Sequence, residues 1–211
     1  MLAGIRDAVR AHESLFLEKK ILHRDVSLHN VILTDPEQTN GRSGLLIDLE
    51  LSVELGDDGR NILTEARTMT GTLEYIAIEI LQGALHSKTA GIEHTYRHDL
   101  ESFFYVLLSA CIRYGWETGT ARRSNPLRMW YTGSIMDIYA AKTGHMTSAV
   151  FENVVLPEFA PRFAGVKELA RKLRDILFSR GSLCTGTPER PEAMYTPMIQ
   201  AFNEALKTLD E

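Results

Sequence analysis

The chain has 211 residues, 23 Lys and Arg against 28 Asp and Glu for a formal charge of −5, 44% hydrophobic residues and two cysteines. The length suits one large domain or two small ones, the acidic balance argues against a binder of nucleic-acid backbones, and the apolar content excludes disorder as the main state. Cys111 and Cys184 make no disulfide framework and no CxxC or zinc-finger spacing exists, so the expected setting is reducing and intracellular, cytoplasmic or nuclear.

The opening MLAGIRDAVRAHESL carries Arg6, Asp7 and Arg10 where a signal peptide needs an apolar run. The longest nearly apolar stretch, Phe103 to Ile112, falls well short of a membrane span. Neither nucleic acid nor a membrane is expected as a partner.

Residues 1–20 read as a helix, because Leu2, Ile5, Val9, Leu15 and Phe16 recur near helical spacing with charges between them. Two apolar runs follow, Val31–Leu33 and Leu45–Leu49, separated by the turn-rich DPEQTNGRSG, which predicts a β-hairpin. Residues 50–98 are mostly polar, with a short helical candidate near Glu79–Leu81; a loop of that length inside a domain is usually functional. A central helix is predicted from Asp99, a good N-cap, through an almost wholly apolar LESFFYVLLSACIRY. Segment 115–134 reads as irregular, and helical candidates recur at 147–155, 165–179 and 192–208. The sum is one mainly α domain with a small β element near its start.

Residues 23–30, His-Arg-Asp-Val-Ser-Leu-His-Asn, place an Asn five positions after an Asp preceded by His-Arg. In phosphoryl transfer that spacing has a reason: the Asp reaches the acceptor hydroxyl and the Asn returns to the same pocket to ligate magnesium. Asp48 closes the apolar LLID, at a place that resembles the Asp-Phe-Gly magnesium ligand of kinases. A bare Asp at a strand end more often only caps a turn, so this residue gains weight from its place in the order. Residues 71–79, GTLEYIAIE, are similar to the end of a kinase activation segment, with Ile78 in place of Pro.

With these motifs in sequence, the chain resembles the C-terminal lobe of a protein kinase, and GTLEYIAIEIL followed by HTYRHDLESFFYVL resembles the fungal-type protein kinase family. The resemblance runs over residues 1–211, with the catalytic loop at 23–30, the activation segment at 48–79 and the central helix from about 99. It implies a helical bundle with a β-hairpin beside the catalytic loop. It implies Asp25 as catalytic base, Arg24 as partner of an activation-segment phosphate, and Asn30 and Asp48 as holders of Mg2+ on ATP. It further implies that Thr72 contacts Asp25 and favours Ser or Thr as acceptor in a protein substrate. Glu79 is expected in a buried ion pair with a late arginine, Arg190 being the candidate, and Asp99 is expected to anchor backbone amides of the catalytic loop.

Other residues have plainer readings. His23 is expected to be a packed, hydrogen-bonded histidine. His94 and His98 stand at helical i, i+4 spacing without a third metal ligand and read as a solvated pair. Thr64, Thr68 and Thr70, ordinary residues for a polar loop, are candidate phosphosites.

The sequence also departs from the family pattern. It contains no G-x-G-x-x-G loop or strand lysine ahead of the first helix, so the expectation is an incomplete piece of a longer kinase, with an N-terminal lobe or partner chain over the ATP face and poor transfer alone. Leu49-Glu50 stand where Phe-Gly is usual, Ser27 where lysine is common, and Ile78 removes a rigid proline turn. Two other readings stay open: a non-catalytic kinase-like binding module, and a small-molecule phosphotransferase, against which the activation-segment end speaks.

Overall fold

The computed structural model describes residues 1–56, 69–86, 92–117, 125–178 and 182–209. Its first helix, α1 (Leu2–Lys19), buries Leu2, Ile5, Ala8, Val9 and His12 along one face. It stops at Lys20, whose left-handed backbone (φ 55°) lets its N–H return to Phe16 O at 3.0 Å.

Two small antiparallel sheets flank the loop that follows. β1 (Ile21–Leu22) pairs with β4 (Val53–Glu54), a strand that the polar reading of residues 50–98 did not foresee. β2 (Val31–Leu33) pairs with β3 (Gly44–Leu46), Val31 opposite Leu46. The predicted hairpin is therefore present, but its second strand covers Gly44–Leu46 rather than Leu45–Leu49, and the chain turns away at Asp48 with φ 69°. Gly44 lies so close to Gly4 of α1 that a Cβ there would enter the Gly4 backbone, which is why strand and helix can touch.

The rest is helical. It comprises α2 (Ile78–His86), α3 (Tyr96–Arg113), α4 (Ile135–Met146), the short α5 (Ser148–Val150), α6 (Lys167–Leu177) and α7 (Glu192–Leu209). The helix expected at 147–155 is α5 running into a π turn over Phe151–Val155, and the segment expected to be irregular contains a 3-10 turn over Pro126–Trp130.

α3 is the axis of the core, with every residue from Tyr96 to Ile112 buried. It begins three residues before Asp99, and Thr95 rather than Asp99 occupies the N-cap; the Thr95 N–H donates to the His98 ring at 3.0 Å. Asp99 thus sits inside the first turn with its carboxylate free to face the 23–30 loop. Around α3, α1 packs on β3 and α7, α2 on α4, and α6 on α7. Such burial, about 1.5–3 kcal/mol per large apolar side chain, makes α3 the rigid base on which the loops are mounted.

Candidate active site

The loop after β1 hangs on one carboxylate. Asp99 accepts the His23 N–H at 3.0 Å and the Arg24 N–H at 3.1 Å. Arg24 has φ 68°, a conformation that L side chains seldom adopt, and these two amide bonds hold it there. The same carboxylate contacts His12 Nε2 and His94 Nε2, each at 2.8 Å, and the Tyr195 hydroxyl contacts His12 Nδ1 at 2.8 Å. Burial alone would push the Asp99 carboxyl up, but the charges and hydrogen bonds of His94 and His12 outweigh it and hold it well below the usual carboxylate range. His94 is therefore no solvated residue: it is buried and spent on Asp99.

Asp25 is half-buried at the loop's tip. Its Oδ1 accepts the Thr72 N–H at 2.8 Å and the Thr72 hydroxyl at 2.9 Å. Asn30 Nδ2 donates to Asp25 O at 2.8 Å and reaches Asp25 Oδ2 at 3.3 Å. The His23 ring is buried; its Nδ1 accepts the Asp25 N–H at 3.3 Å and its Nε2 faces Ile47 O at 3.0 Å. Gly71 (φ 103°) passes so near that a Cβ would lie 2.8 Å from Arg24 O, so the Thr72 approach needs glycine before it. Arg24 itself is buried, and burial lowers its pKa against the attraction of Asp99.

Ile47 N–H donates to Asn30 O at 2.9 Å, so the end of β3 just before Asp48 is fastened to the end of the 23–30 loop. Asp48 is exposed and accepts the Glu50 N–H at 3.3 Å. A carboxylate and an amide oxygen are the hard donors that magnesium takes, and this ion normally completes its shell with water and substrate phosphates. The donor set fits Mg2+ on a nucleotide. Among the described residues no group of three or more His, Cys, Asp or Glu is placed to hold a metal without such help.

Residues 71–79 are bolted to α3. Ser102 Oγ donates to Tyr75 O at 2.7 Å, while Glu74 accepts from Ser109 at 2.8 Å and Arg113 at 2.6 Å. Ile78, standing where proline was expected, uses the N–H that proline lacks: it donates to buried Glu101 at 2.7 Å. The expected Glu79–Arg190 pair is not formed. Glu79 instead meets His98 Nε2 at 3.0 Å and the Gly186 N–H at 2.9 Å, while Arg190 is exposed and its carbonyl accepts the Ala193 N–H at the start of α7. Arg97, fully buried in α3, reaches Glu101 at 2.8 Å and Leu177 O at 3.0 Å. Thr64 and Thr68 lie outside the described residues, and the Thr70 hydroxyl oxygen is buried.

Comparison with known proteins now bears on this geometry. The fungal protein kinase profile matches residues 1–111, from α1 through most of α3. The chain belongs to the fungal protein kinase family. A MAP kinase kinase of Saccharomyces cerevisiae, MKK1/SSP32, is 33% identical over 92 residues, a stretch covering 44% of this chain and 16% of that protein. The chain thus matches a small part of that relative's length, and its mainly helical architecture is that of a kinase-like lobe.

Several residues of this family member were not legible beforehand. His12 carries no motif; only the pairing of α1 with α7 and α3 reveals that it links Tyr195 to Asp99. His98 reads from sequence as one half of a solvated pair, yet it is buried, and burial lowers its pKa. With Nδ1 accepting from Thr95, its Nε2–H is the donor to Glu79. Burial would raise the Glu79 carboxyl, but the bonds from His98 and the Gly186 amide, with the Arg97 charge, bring it down to about 2. Arg97 and Glu101 stand in plain view in the string RHDLE, four residues apart on a helix, a spacing that suggests pairing.

Proposed function

We propose that this chain is the substrate-side lobe of a protein kinase that moves the γ-phosphoryl group of Mg-ATP to a serine or threonine hydroxyl of a protein. The observation that supports this reading best is the joint capture of Asp25 by Thr72 and Asn30, which fixes a carboxylate where an acceptor hydroxyl would dock. Asp25 orients that hydroxyl and takes its proton; Thr72 holds Asp25 and leaves room for a small alcohol; Asn30 and Asp48 would hold the magnesium. Mg-ATP supplies the phosphoryl group when bound. Arg24 is proposed to meet a phosphate on the activation segment.

A second reading rests on Ile32, Leu33, Ile47, Leu49 and Leu51, large apolar side chains 37–54% exposed on and after β2 and β3, beside Asp48. Such a face suits a covering lobe or partner chain, in which case this lobe works as a docking module.

Calorimetry with ATP and peptide phosphorylation separate the two. The kinase reading expects magnesium-dependent nucleotide binding that Asp48→Ala abolishes, and phosphorylation that Asp25→Asn lowers by about 10²–10⁴-fold. Nucleotide affinity indifferent to magnesium and to Asp48→Ala overturns it. Capture of a covering partner with unchanged affinity by both variants then favours the module.

A further inference from the structure

We infer that the cleft between α1 and the β2–β3 turn binds a phosphorylated peptide segment of a partner protein. The cleft encloses about 560 Å³, room for several residues, and none of its lining belongs to the catalytic loop. Arg6, Arg10 and Arg42 face it against a single carboxylate, Asp7, in a chain whose formal charge is −5.

The three arginines are not equivalent. Arg6 is spent, donating to Asp7 Oδ1 at 2.8 and 3.0 Å and to Asn203 at 3.2 Å. The other Asp7 oxygen accepts the Ser43 N–H at 2.8 Å, so this carboxylate is fully used. Arg10 is half exposed and only 3.9 Å from Asp7. Arg42 is exposed and its side chain makes no ion pair or hydrogen bond among the described residues. The turn therefore offers one guanidinium with no partner among the described residues, Arg42, and the helix a second, Arg10, held only by a long ion pair to an Asp7 that Arg6 and Ser43 already occupy.

A phosphate dianion answers both. It carries the charge that two arginines leave over and three terminal oxygens for paired N–H donors, whereas one carboxylate would leave a fork unmet. The turn that carries Arg42 is itself ordered: Arg42 O accepts the Thr34 hydroxyl at 2.7 Å and the Thr39 hydroxyl at 2.5 Å, and Thr34 N–H donates to Ser43 O at 3.0 Å. Half-buried Leu45 and Leu46 give the cleft an apolar floor for the residues flanking the phosphate. That floor and the acidic chain as a whole favour a peptide over a polyanion such as nucleic acid.

The test uses the whole chain and fluorescence anisotropy with a pool of short peptides, phosphoserine fixed at the centre and the flanks degenerate. The pool should bind at least about tenfold more tightly than its serine counterpart, and Arg10→Ala and Arg42→Ala should each weaken it about tenfold. Arg128→Ala, a surface change elsewhere, should leave it unaltered, and unchanged thermal melts would show the variants folded. Absence of phosphoserine binding, equal binding of serine or glutamate pools, insensitivity to both arginine variants, or a preference for anionic lipid vesicles each overturns the assignment. The readout is binding alone, so its failure is distinct from failure of the kinase reading.

Discussion

Thr72 gives both of its donors, backbone N–H and hydroxyl, to the same oxygen of Asp25, at 2.8 and 2.9 Å. Residues 71–79 are thereby tied to the 23–30 loop by a pair of charge-assisted bonds, each worth about 1.5–3 kcal/mol. Replacing Asp25 by Ala should speed amide hydrogen exchange at Thr72 by about ten- to a hundredfold, whereas Asp25→Asn, which keeps an acceptor, should change it little. Equal exchange in both variants would contradict the tie.

Asp99 is buried and meets two backbone amides and two histidine rings. Removing it strands those donors, so Asp99→Ala should cost about 3–5 kcal/mol in urea unfolding. His94→Ala should cost less, because His12 and both amides remain.

Acid should loosen the fold by a known route. The Glu79 carboxyl, ordinarily near 4.5, lies near 2 when folded. A depressed folded pKa stabilises above the unfolded value and the gain is lost as pH falls from about 4.5 towards 2; for Glu79 this amounts to about 3 kcal/mol. Asp99 shifts in the same direction. Urea midpoints taken down that range should fall steeply in the native chain and less steeply in Glu79→Gln.

Ile78→Pro, which restores the family's usual residue, should destabilise this chain. It deletes the N–H that Glu101 receives at 2.7 Å, leaving a buried carboxylate short of a donor at a cost of about 1–3 kcal/mol. A gain in melting temperature would overturn this account.

Lys142 predicts a second rise of stability with pH, in the alkaline range. It is wholly buried, donates to Ile76 O at 2.5 Å and lies over the Tyr105 and Trp130 rings, 4.2 and 5.3 Å from their centroids. Burial pushes its pKa down to about 7 despite the pull of Glu101 and Glu74. Between pH 7 and 9 the unfolded chain keeps a proton that the folded chain has released, so stability should rise with pH, by up to about 1.4 kcal/mol per pH unit. Lys142→Met should flatten that rise.

The parts of this site that sequence reveals are those held by short spacing. His23 to Asn30 and Gly71 to Glu79 each carry their chemistry within one turn or loop, and Asp99 stands out as an acid in an apolar helix. Partnerships across the chain are another matter. The family resemblance points Glu79 to a late arginine, but nothing local says which late segment returns; the one that does brings the Gly186 amide, and His98 supplies the side chain. His12 could not be read at all, since its meaning depends on a tyrosine 183 positions away. Apolar Ile47 and Leu49 extend the hairpin's second strand in the sequence pattern, although both are exposed where the backbone turns out of the sheet.

That tie between His12 and Tyr195 also sets an order of events in synthesis. The 23–30 loop and Asp99 leave the ribosome before α7, and the support behind Asp99 is completed only when α7 arrives. At about 5–20 residues per second, the lobe waits several seconds with its loop anchor unfinished, and a chain cut short before Tyr195 would keep every motif residue yet lack the hydroxyl that backs His12.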